Sequence, residues 1–176
     1  FVSGVLMAVR RPFTVDDLVR ISDFFGRVET INLRATRLTQ LSGETVIIPN
    51  KDVFQNAIVN YTETKCRRVE LEVGVSYGDD LEKAKQVAIE AVRSVRPRDE
   101  SREVELFYTG FGGSSIDFQI RFWINDAEQL AYLDAHSQAV MAIKKAFDEH
   151  EITIPFPIRT LDFGIVGGEP LQAHLG

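Results

Sequence analysis

The stretch TVIIPNKDVFQNAIVNY, residues 45–61, separates two kinds of pattern in this 176-residue chain. It begins as an apolar strand that ends at Pro49, which cannot donate a hydrogen bond to a sheet. A short polar segment, residues 50–52, precedes a second apolar run, and the stretch closes at Asn60 and Tyr61. We therefore interpret residues 45–61 as a hinge between two architectures.

Before this stretch, short β-like runs follow one another closely. Residues 18–21, 26–33 and 36–41 each have strand character, and Ser42-Gly43 is a candidate two-residue turn into residues 45–48. Four or five short strands predict a small, strongly curved sheet or barrel whose edges need partners. A unit of this size has a thin core, so we expect it to oligomerise.

After Lys65 the pattern becomes one of alternating strands and helices. Residues 69–75 alternate as a strand with one wet face, and the pair Asp79 and Glu82 resembles a capping box before a helix that reaches about Val95. The expected inner face of that helix consists of Leu81, Ala84, Val87, Ala88 and Ala91.

The pattern of strands followed by a helix is repeated after residue 103. Residues 104–108 and 116–124 are predicted strands joined by the glycine-rich residues 110–115, and Asn125-Asp126 is the predicted cap of a helix that extends to about Glu149. An extended stretch, residues 152–163, follows, which gives the order strand, helix, strand, strand, helix, strand of a ferredoxin-like α/β domain. The expected inward residues of the second helix are Leu130, Leu133, Val140, Ile143 and Phe147.

Charge is distributed unevenly along a composition typical of a folded soluble protein, with 44% hydrophobic and 26% charged residues. The net charge is -6, which argues against a general binder of polyanions. Residues 1–68 hold 10 Lys and Arg against 7 Asp and Glu, whereas residues 69–176 hold 10 against 19. A basic front and an acidic rear suit a protein whose front lies near anionic lipid.

The first nine residues, FVSGVLMAV, are apolar and are followed at once by Arg10, Arg11 and Pro12. A membrane span needs about 20 apolar residues, so this segment is too short to be one. Cations directly after an apolar helix are typical of its cytoplasmic end. The pattern fits the last turns of a membrane helix, and it equally fits a short core helix or strand.

Catalytic and metal-binding patterns are not evident. Cys66 is the single cysteine, the three histidines are isolated, and no Ser/His/Asp set stands out. The segment Gly110–Ser115 suggests phosphate binding, but a strand follows it where a phosphate loop needs a helix, and it contains no Lys. We predict a hairpin turn there and expect no enzyme activity, no cofactor and no metal site.

Aromatic residues on two predicted strands allow a nucleic-acid interpretation, because such sheets can stack bases. Phe118 and Phe122 nevertheless share a face with Ile116, Ile120 and Ile124, which predicts a core face. An oligomeric nucleic-acid module therefore remains only the alternative hypothesis.

Six short motifs in collinear order carry a family resemblance. They are RPF at residues 11–13, IPN at 48–50 leading to IVNY at 58–61, GVSYG at 74–78, GSSIDF at 113–118, RFW at 121–123 and IPFP at 154–157. With them the chain resembles the small-conductance mechanosensitive channel family over nearly its whole length.

The resemblance implies an α+β fold in which a small all-β, Sm-like domain precedes a ferredoxin-like α/β domain and a C-terminal barrel strand. Its segments would be residues 1–13, the end of the pore-lining helix; 14–60, the β domain; 61–157, the α/β domain; 158–166, the barrel strand; and 167–176, a loose tail. Family members are homo-heptamers in the inner membrane that release ions and small solutes on hypoosmotic shock. The implied partners are further copies of the chain, membrane lipids at the N-terminal end, ions and solutes, but no nucleic acid.

The resemblance also implies roles for individual residues, in three groups. The pore-helix end and membrane interface comprises Gly4, Arg10, Arg11, Pro12 and Phe13. The domain junction that couples to gating comprises Pro49, Asn50, Asn60 and Tyr61, and we expect Asn50→Ala to alter gating or inactivation more than folding. The barrel strand includes Ile158, Leu161 and Phe163.

Overall fold

Two antiparallel sheets and three helices make up residues 12–159, the part of the chain that the computed structural model describes. The five-stranded sheet and one short helix form what we call the β unit. The three-stranded sheet and the two longer helices form the α/β unit.

The β unit is a meander with one added strand. Its strands are β1 (Leu18–Ile21), β2 (Phe24–Ile31), β3 (Ala35–Gln40), β4 (Thr45–Pro49) and β5 (Ile58–Asn60), in the order β4-β3-β2-β1-β5. The β3–β4 connection includes Gly43 at φ +100°, a conformation that glycine adopts without a steric penalty. The prediction that several short strands form one small sheet is confirmed.

The segment after Pro49 differs from the prediction. Residues 50–52 were expected to be a polar connection, but helix α1 (Asn50–Gln55) begins there. Val53 in this helix is fully buried, and Phe54 packs beside it against the core of the β unit. The short helix thus covers one face of the sheet, which a strand-and-turn interpretation of so few residues did not anticipate.

The α/β unit has a sheet with the order β6-β8-β7, formed by β6 (Arg67–Val75), β7 (Glu105–Phe111) and β8 (Ile116–Ile124). Residues of β8 alternate strictly, so that Phe118 and Phe122 lie in the core at 0% and 1% exposure. The prediction of a core face is therefore confirmed. The glycine-rich segment joins β7 to β8 as a hairpin, as expected.

Helices α2 (Leu81–Arg93) and α3 (Gln129–Glu149) cover the core face of this sheet. Both predicted caps were wrong by a few residues. Asp80, not Asp79, caps α2 by accepting hydrogen bonds from the Glu82 and Lys83 amides. Helix α3 begins after Glu128, while Asp126 accepts from the Glu128 amide and shapes the preceding loop.

The inner face of α3 also differs from the prediction. Ile143 and Phe147 are buried as expected, but Leu130, Leu133 and Val140 are exposed by 80%, 52% and 45%. In the first half of the helix, the inner face is formed instead by two small residues, Ala135 and Ala139. The alanines pack in the core of the α/β unit, and the larger apolar side chains of α3 lie on its exposed face.

The predicted final strand is absent from the described part of residues 152–163, because residues 152–159 have no regular secondary structure and belong to neither sheet. One sheet-like hydrogen bond remains, from the Ser76 amide to the Thr153 carbonyl, and Asp79 accepts from the Thr153 amide. Among residues 12–159, no helix combines the length and the hydropathy that crossing a bilayer requires.

Candidate functional site at the junction of the two units

A carboxylate network stands where the chain passes from the β unit to the α/β unit. Asp17 accepts hydrogen bonds from the Thr14 amide at 2.8 Å, from the Asn60 side-chain amide at 3.0 Å and from the Thr62 hydroxyl at 2.9 Å. The side-chain Oδ1 of Asn60 in turn accepts hydrogen bonds from the backbone amides of Thr62 and Glu63. The Asp17 carboxylate therefore connects Thr14, directly after Phe13, to Asn60 and Thr62, where the chain leaves β5.

The same bonds set the acidity of Asp17. Its partial burial alone would raise the pKa of the carboxyl, because burial disfavours the charged form. Hydrogen bonds from Thr14, Thr62 and Asn60 outweigh this effect, and the pKa of Asp17 lies below its ordinary value. The network thus requires an ionised carboxylate.

Tyr61 packs against the β unit. Its ring meets Phe25 edge to face at 5.1 Å between centroids, and its hydroxyl oxygen accepts a hydrogen bond from Arg20 Nε at 3.2 Å. The Arg20 guanidinium also lies 5.0 Å from the Phe25 ring centroid. Tyr61 therefore contacts β2 through its ring and β1 through its hydroxyl.

Arg67, at the start of β6, contacts Tyr61 and α3 together. Its guanidinium carbon lies 4.9 Å from the Tyr61 ring centroid and 4.0 Å from that of Tyr132. Its Nη1 also donates to Gln129 Oε1 at 2.7 Å. Burial lowers the pKa of Arg67 from its usual value, yet a guanidinium stays charged at any physiological pH. We call Arg20, Phe25, Tyr61, Arg67 and Tyr132 the junction cluster.

A direct ion pair joins the two units beside this cluster. Arg27 of β2 pairs with Glu128, the residue that precedes α3. The two side chains are 39% and 46% exposed, so water screens them and the pair contributes about 0–1 kcal/mol. This ion pair therefore adds only a small stabilisation to the contact between the two units.

The four predicted junction residues are divided between two places. Asn60 and Tyr61 lie at the junction, as described above. Pro49 ends β4, the opposite edge strand of the β unit, and Asn50 begins α1, where it is 2% exposed. Asn50 Oδ1 accepts from the Thr36 hydroxyl at 2.9 Å, and its Nδ2 donates to the Asn32 carbonyl at 2.8 Å. The gating role assigned to these four residues remains a prediction.

The predicted membrane-interface residues are described only from Pro12 onward. Phe13 is 3% exposed and packs in the core of the β unit, which fixes the start of the described chain to that core. Of the predicted barrel residues, Ile158 is 63% exposed and its amide donates to Ser114 Oγ at 3.0 Å. Gly4, Arg10, Arg11, Leu161 and Phe163 lie outside the described residues, and their roles remain predictions.

The sequence patterns did not identify most of the junction. Asp17, Arg20, Arg67 and Tyr132 contact partners that are distant in sequence, as in the 45-residue separation of Asp17 and Thr62. The only local signal is the spacing of Thr14 and Asp17, which favours a side-chain hydrogen bond at a turn. Residues 12–159 contain no group of three or more His, Cys, Asp and Glu side chains suited to a metal ion.

Two families match the chain in the order of its two units. Residues 1–63 match the β-domain of mechanosensitive ion channels, and residues 69–154 match the C-terminal domain of the mechanosensitive ion channel MscS. The boundary between the two matches coincides with the junction.

Relatives with known names agree with these matches. The small-conductance mechanosensitive channel of Helicobacter pylori is 31% identical over 153 residues, which cover 87% of this chain and 55% of that protein. The mechanosensitive channel MscK of Escherichia coli is 37% identical over 129 residues, or 72% of this chain and 11% of that protein. The chain thus spans at most about half the length of these relatives.

Solved structures show the same fold. The crystal structure of Helicobacter pylori MscS in its closed state has a TM-score of 0.83 at 32% identity and covers 93% of this chain and 63% of that one. The structure of Arabidopsis thaliana MSL1 has a TM-score of 0.74 at 19% identity, with 88% of this chain and 57% of that chain covered.

Proposed function

The chain belongs to the MscS family of mechanosensitive ion channels, and from this premise we propose that it forms the cytoplasmic vestibule and pore-helix end of a tension-gated channel. The observation that carries the proposal is the match of two consecutive channel domains, together with a named channel that is 31% identical over 87% of the chain. The family consists of channels and not of enzymes. Solute release on hypoosmotic shock is the activity we propose for the whole protein.

In this proposal the β unit is an Sm-like domain, and the α/β unit is ferredoxin-like, in which residues 152–157 would take the place of the fourth strand. The strand order β6-β8-β7 supports the second assignment, because an additional strand could join the free edge of β6. Ser76 of the segment after β6 already bonds to Thr153. Residues 158–166 would continue from there into a barrel shared by all subunits.

We propose a homo-heptamer in the inner membrane whose described part lies on the cytoplasmic side. Exposed apolar side chains support oligomerisation, since large ones are unusual on the surface of a monomer when they are grouped. They include Ile47 and Val59 on the two edge strands of the β unit and a group on the outer face of α3. The N-terminal residues 1–11 would bring Arg10 and Arg11 to the lipid headgroups.

Gating by tension follows from elementary thermodynamics. Tension does work in proportion to the change in membrane area, so stretching favours whichever state occupies the larger area, and a difference in free energy between two states is all that gating requires. A hydrophobic constriction that closes by dewetting would lie in membrane helices encoded before Phe1. The described region would close the ring of subunits, sieve solutes and anchor the pore helix.

A survival experiment tests the proposed function. The full-length gene is expressed in bacteria that lack their own mechanosensitive channels, and viable cells are counted after a sudden hypoosmotic shift. We expect survival well above that of cells with an empty vector. Survival equal to the empty vector, with the protein present in the membrane fraction, would refute the proposal.

A further inference from the structure

The junction cluster contains a planar cation between two aromatic rings that belong to different parts of the fold. Tyr61 is held to the β unit by Phe25 and Arg20, whereas Tyr132 is part of α3. Arg67 has its guanidinium 4.9 Å from the first ring centroid and 4.0 Å from the second. A guanidinium is suited to this position because it is flat, always charged and weakly hydrated.

The surroundings of Arg67 restrict its guanidinium further. Gln129 Oε1 accepts from Nη1 at 2.7 Å, and burial is the main cause of the lowered pKa of Arg67. Cation–π contacts are stronger when water is removed from them. The ion pair between Arg27 and Glu128 crosses the same junction, but its side chains are 39% and 46% exposed, so water screens it and its contribution is small.

We propose that Arg67 is the positioning residue that fixes the orientation of the β unit relative to the α/β unit, through its contacts with Tyr61 and Tyr132. Movement of Tyr61, in the segment between β5 and β6, then displaces α3 as well, because the same guanidinium contacts both rings. Loss of the contact leaves each unit folded around its own core but frees the angle between them. A consequence for gating rests on the proposed channel function, whereas the orientation itself does not.

The distance between the units can be measured by pulsed electron paramagnetic resonance. Spin labels are attached at Leu41→Cys in the β unit and Gln86→Cys in α2, in a Cys66→Ser background, on the full-length protein. Labelled subunits are assembled with an excess of unlabelled ones, so that each oligomer reports one pair. The parent protein should give one narrow distance distribution.

Four variants separate the proposed contact from a general structural effect. Arg67→Ala and Tyr132→Leu should add a broad second population, with the ratio of docked to undocked subunits lowered about tenfold, the effect expected for a partly desolvated cation–π contact. Tyr132→Phe keeps the ring and should retain the narrow distribution. Arg102→Ala should do the same, because its cation–π contact with Trp123, at 4.3 Å, lies wholly within the α/β unit.

Narrow parental distributions in Arg67→Ala and Tyr132→Leu, with circular dichroism unchanged, would overturn the proposal. If Arg67→Ala fails to fold, Tyr132→Leu alone decides. A second arm records the tension at half-maximal opening, which should shift in Tyr132→Leu and not in Tyr132→Phe. A parent protein that shows no tension-activated current would refute the proposed function but would leave the distance result standing.

Discussion

At the scale of single residues, two polar side chains of the β unit, Asn50 and Asp17, each make several hydrogen bonds that stabilise it. Asn50 and Thr36 form a buried pair in its core, and Asp17 gathers three donors at the junction. An amide such as that of Asn50 is costly to bury unless it is bonded. Removing either side chain therefore leaves partners without a hydrogen bond.

Asn50→Ala should lower the free energy of unfolding by about 1–3 kcal/mol, because the Thr36 hydroxyl and the Asn32 carbonyl lose their partner. Asn56→Ala is the matched control, since Asn56 is exposed and its side chain makes one hydrogen bond among the described residues, to the Asp52 carbonyl. Chemical denaturation of both variants measures the difference. Equal stability of the two would contradict the structural role of Asn50, and the expected effect on gating would still have to be measured separately by electrophysiology.

Asp17→Asn should reduce the dependence of stability on acid pH. The pKa of Asp17 is lower in the folded state, so the contribution of its carboxylate is complete above the unfolded value and is lost as pH falls below about 4. The stability advantage of the parent over Asp17→Asn should therefore be larger at neutral pH than in acid. Thermal unfolding across this pH range measures it.

The control for this titration is Asp16→Asn, which changes a neighbouring carboxylate that makes no side-chain hydrogen bond among the described residues and stands at φ 72°, a conformation that asparagine tolerates. It should leave the pH dependence as in the parent. A parallel loss of pH dependence in both variants would contradict the assignment to Asp17.

At the scale of elements, strands were predictable and helix orientation was not. The strict alternation of β8 and the short runs of the β unit follow from a period of two, which a sequence displays directly. Helix α3 has apolar residues on two faces, and only its packing in the core of the α/β unit decides which face is buried. That decision depends on tertiary contacts, as do the partners of Arg67 and Asp17.

One element has a close backbone approach that a side chain would disturb. A Cβ atom on Gly26 in β2 would lie 2.5 Å from the backbone oxygen of Thr39 in the neighbouring strand β3. Gly26→Ala should therefore destabilise the β unit by about 1–3 kcal/mol through overpacking. Gly113→Ala, in the β7–β8 hairpin, has no neighbour within 4 Å and should change stability little. Similar denaturation midpoints for the two variants would contradict this account.

At the scale of the whole molecule, charge and assembly are the relevant quantities. Seven copies of this chain would carry seven times -6, or -42 formal charges, mostly from residues 69–176. Such a field attracts cations toward openings in a vestibule. We hypothesise that this bias influences which ions pass through the proposed channel.

Reversal of acidic charge in the α/β unit tests that hypothesis. Glu72 and Glu105 are exposed residues of β6 and β7, and their joint replacement by Lys should shift the reversal potential in a salt gradient toward anion permeation. Replacement of both by Asp keeps the charge and should leave the potential unchanged. No shift in the Lys variant, with normal assembly, would refute the hypothesis.

Tension-activated current is the most direct test of the claim that this chain is part of a mechanosensitive channel. The full-length protein is purified, reconstituted into liposomes and recorded in excised patches under increasing suction. We predict discrete conductance steps that appear above a threshold tension and disappear when suction is released. Silent patches up to the tension that ruptures the membrane, with the protein incorporated as an intact oligomer, would contradict it.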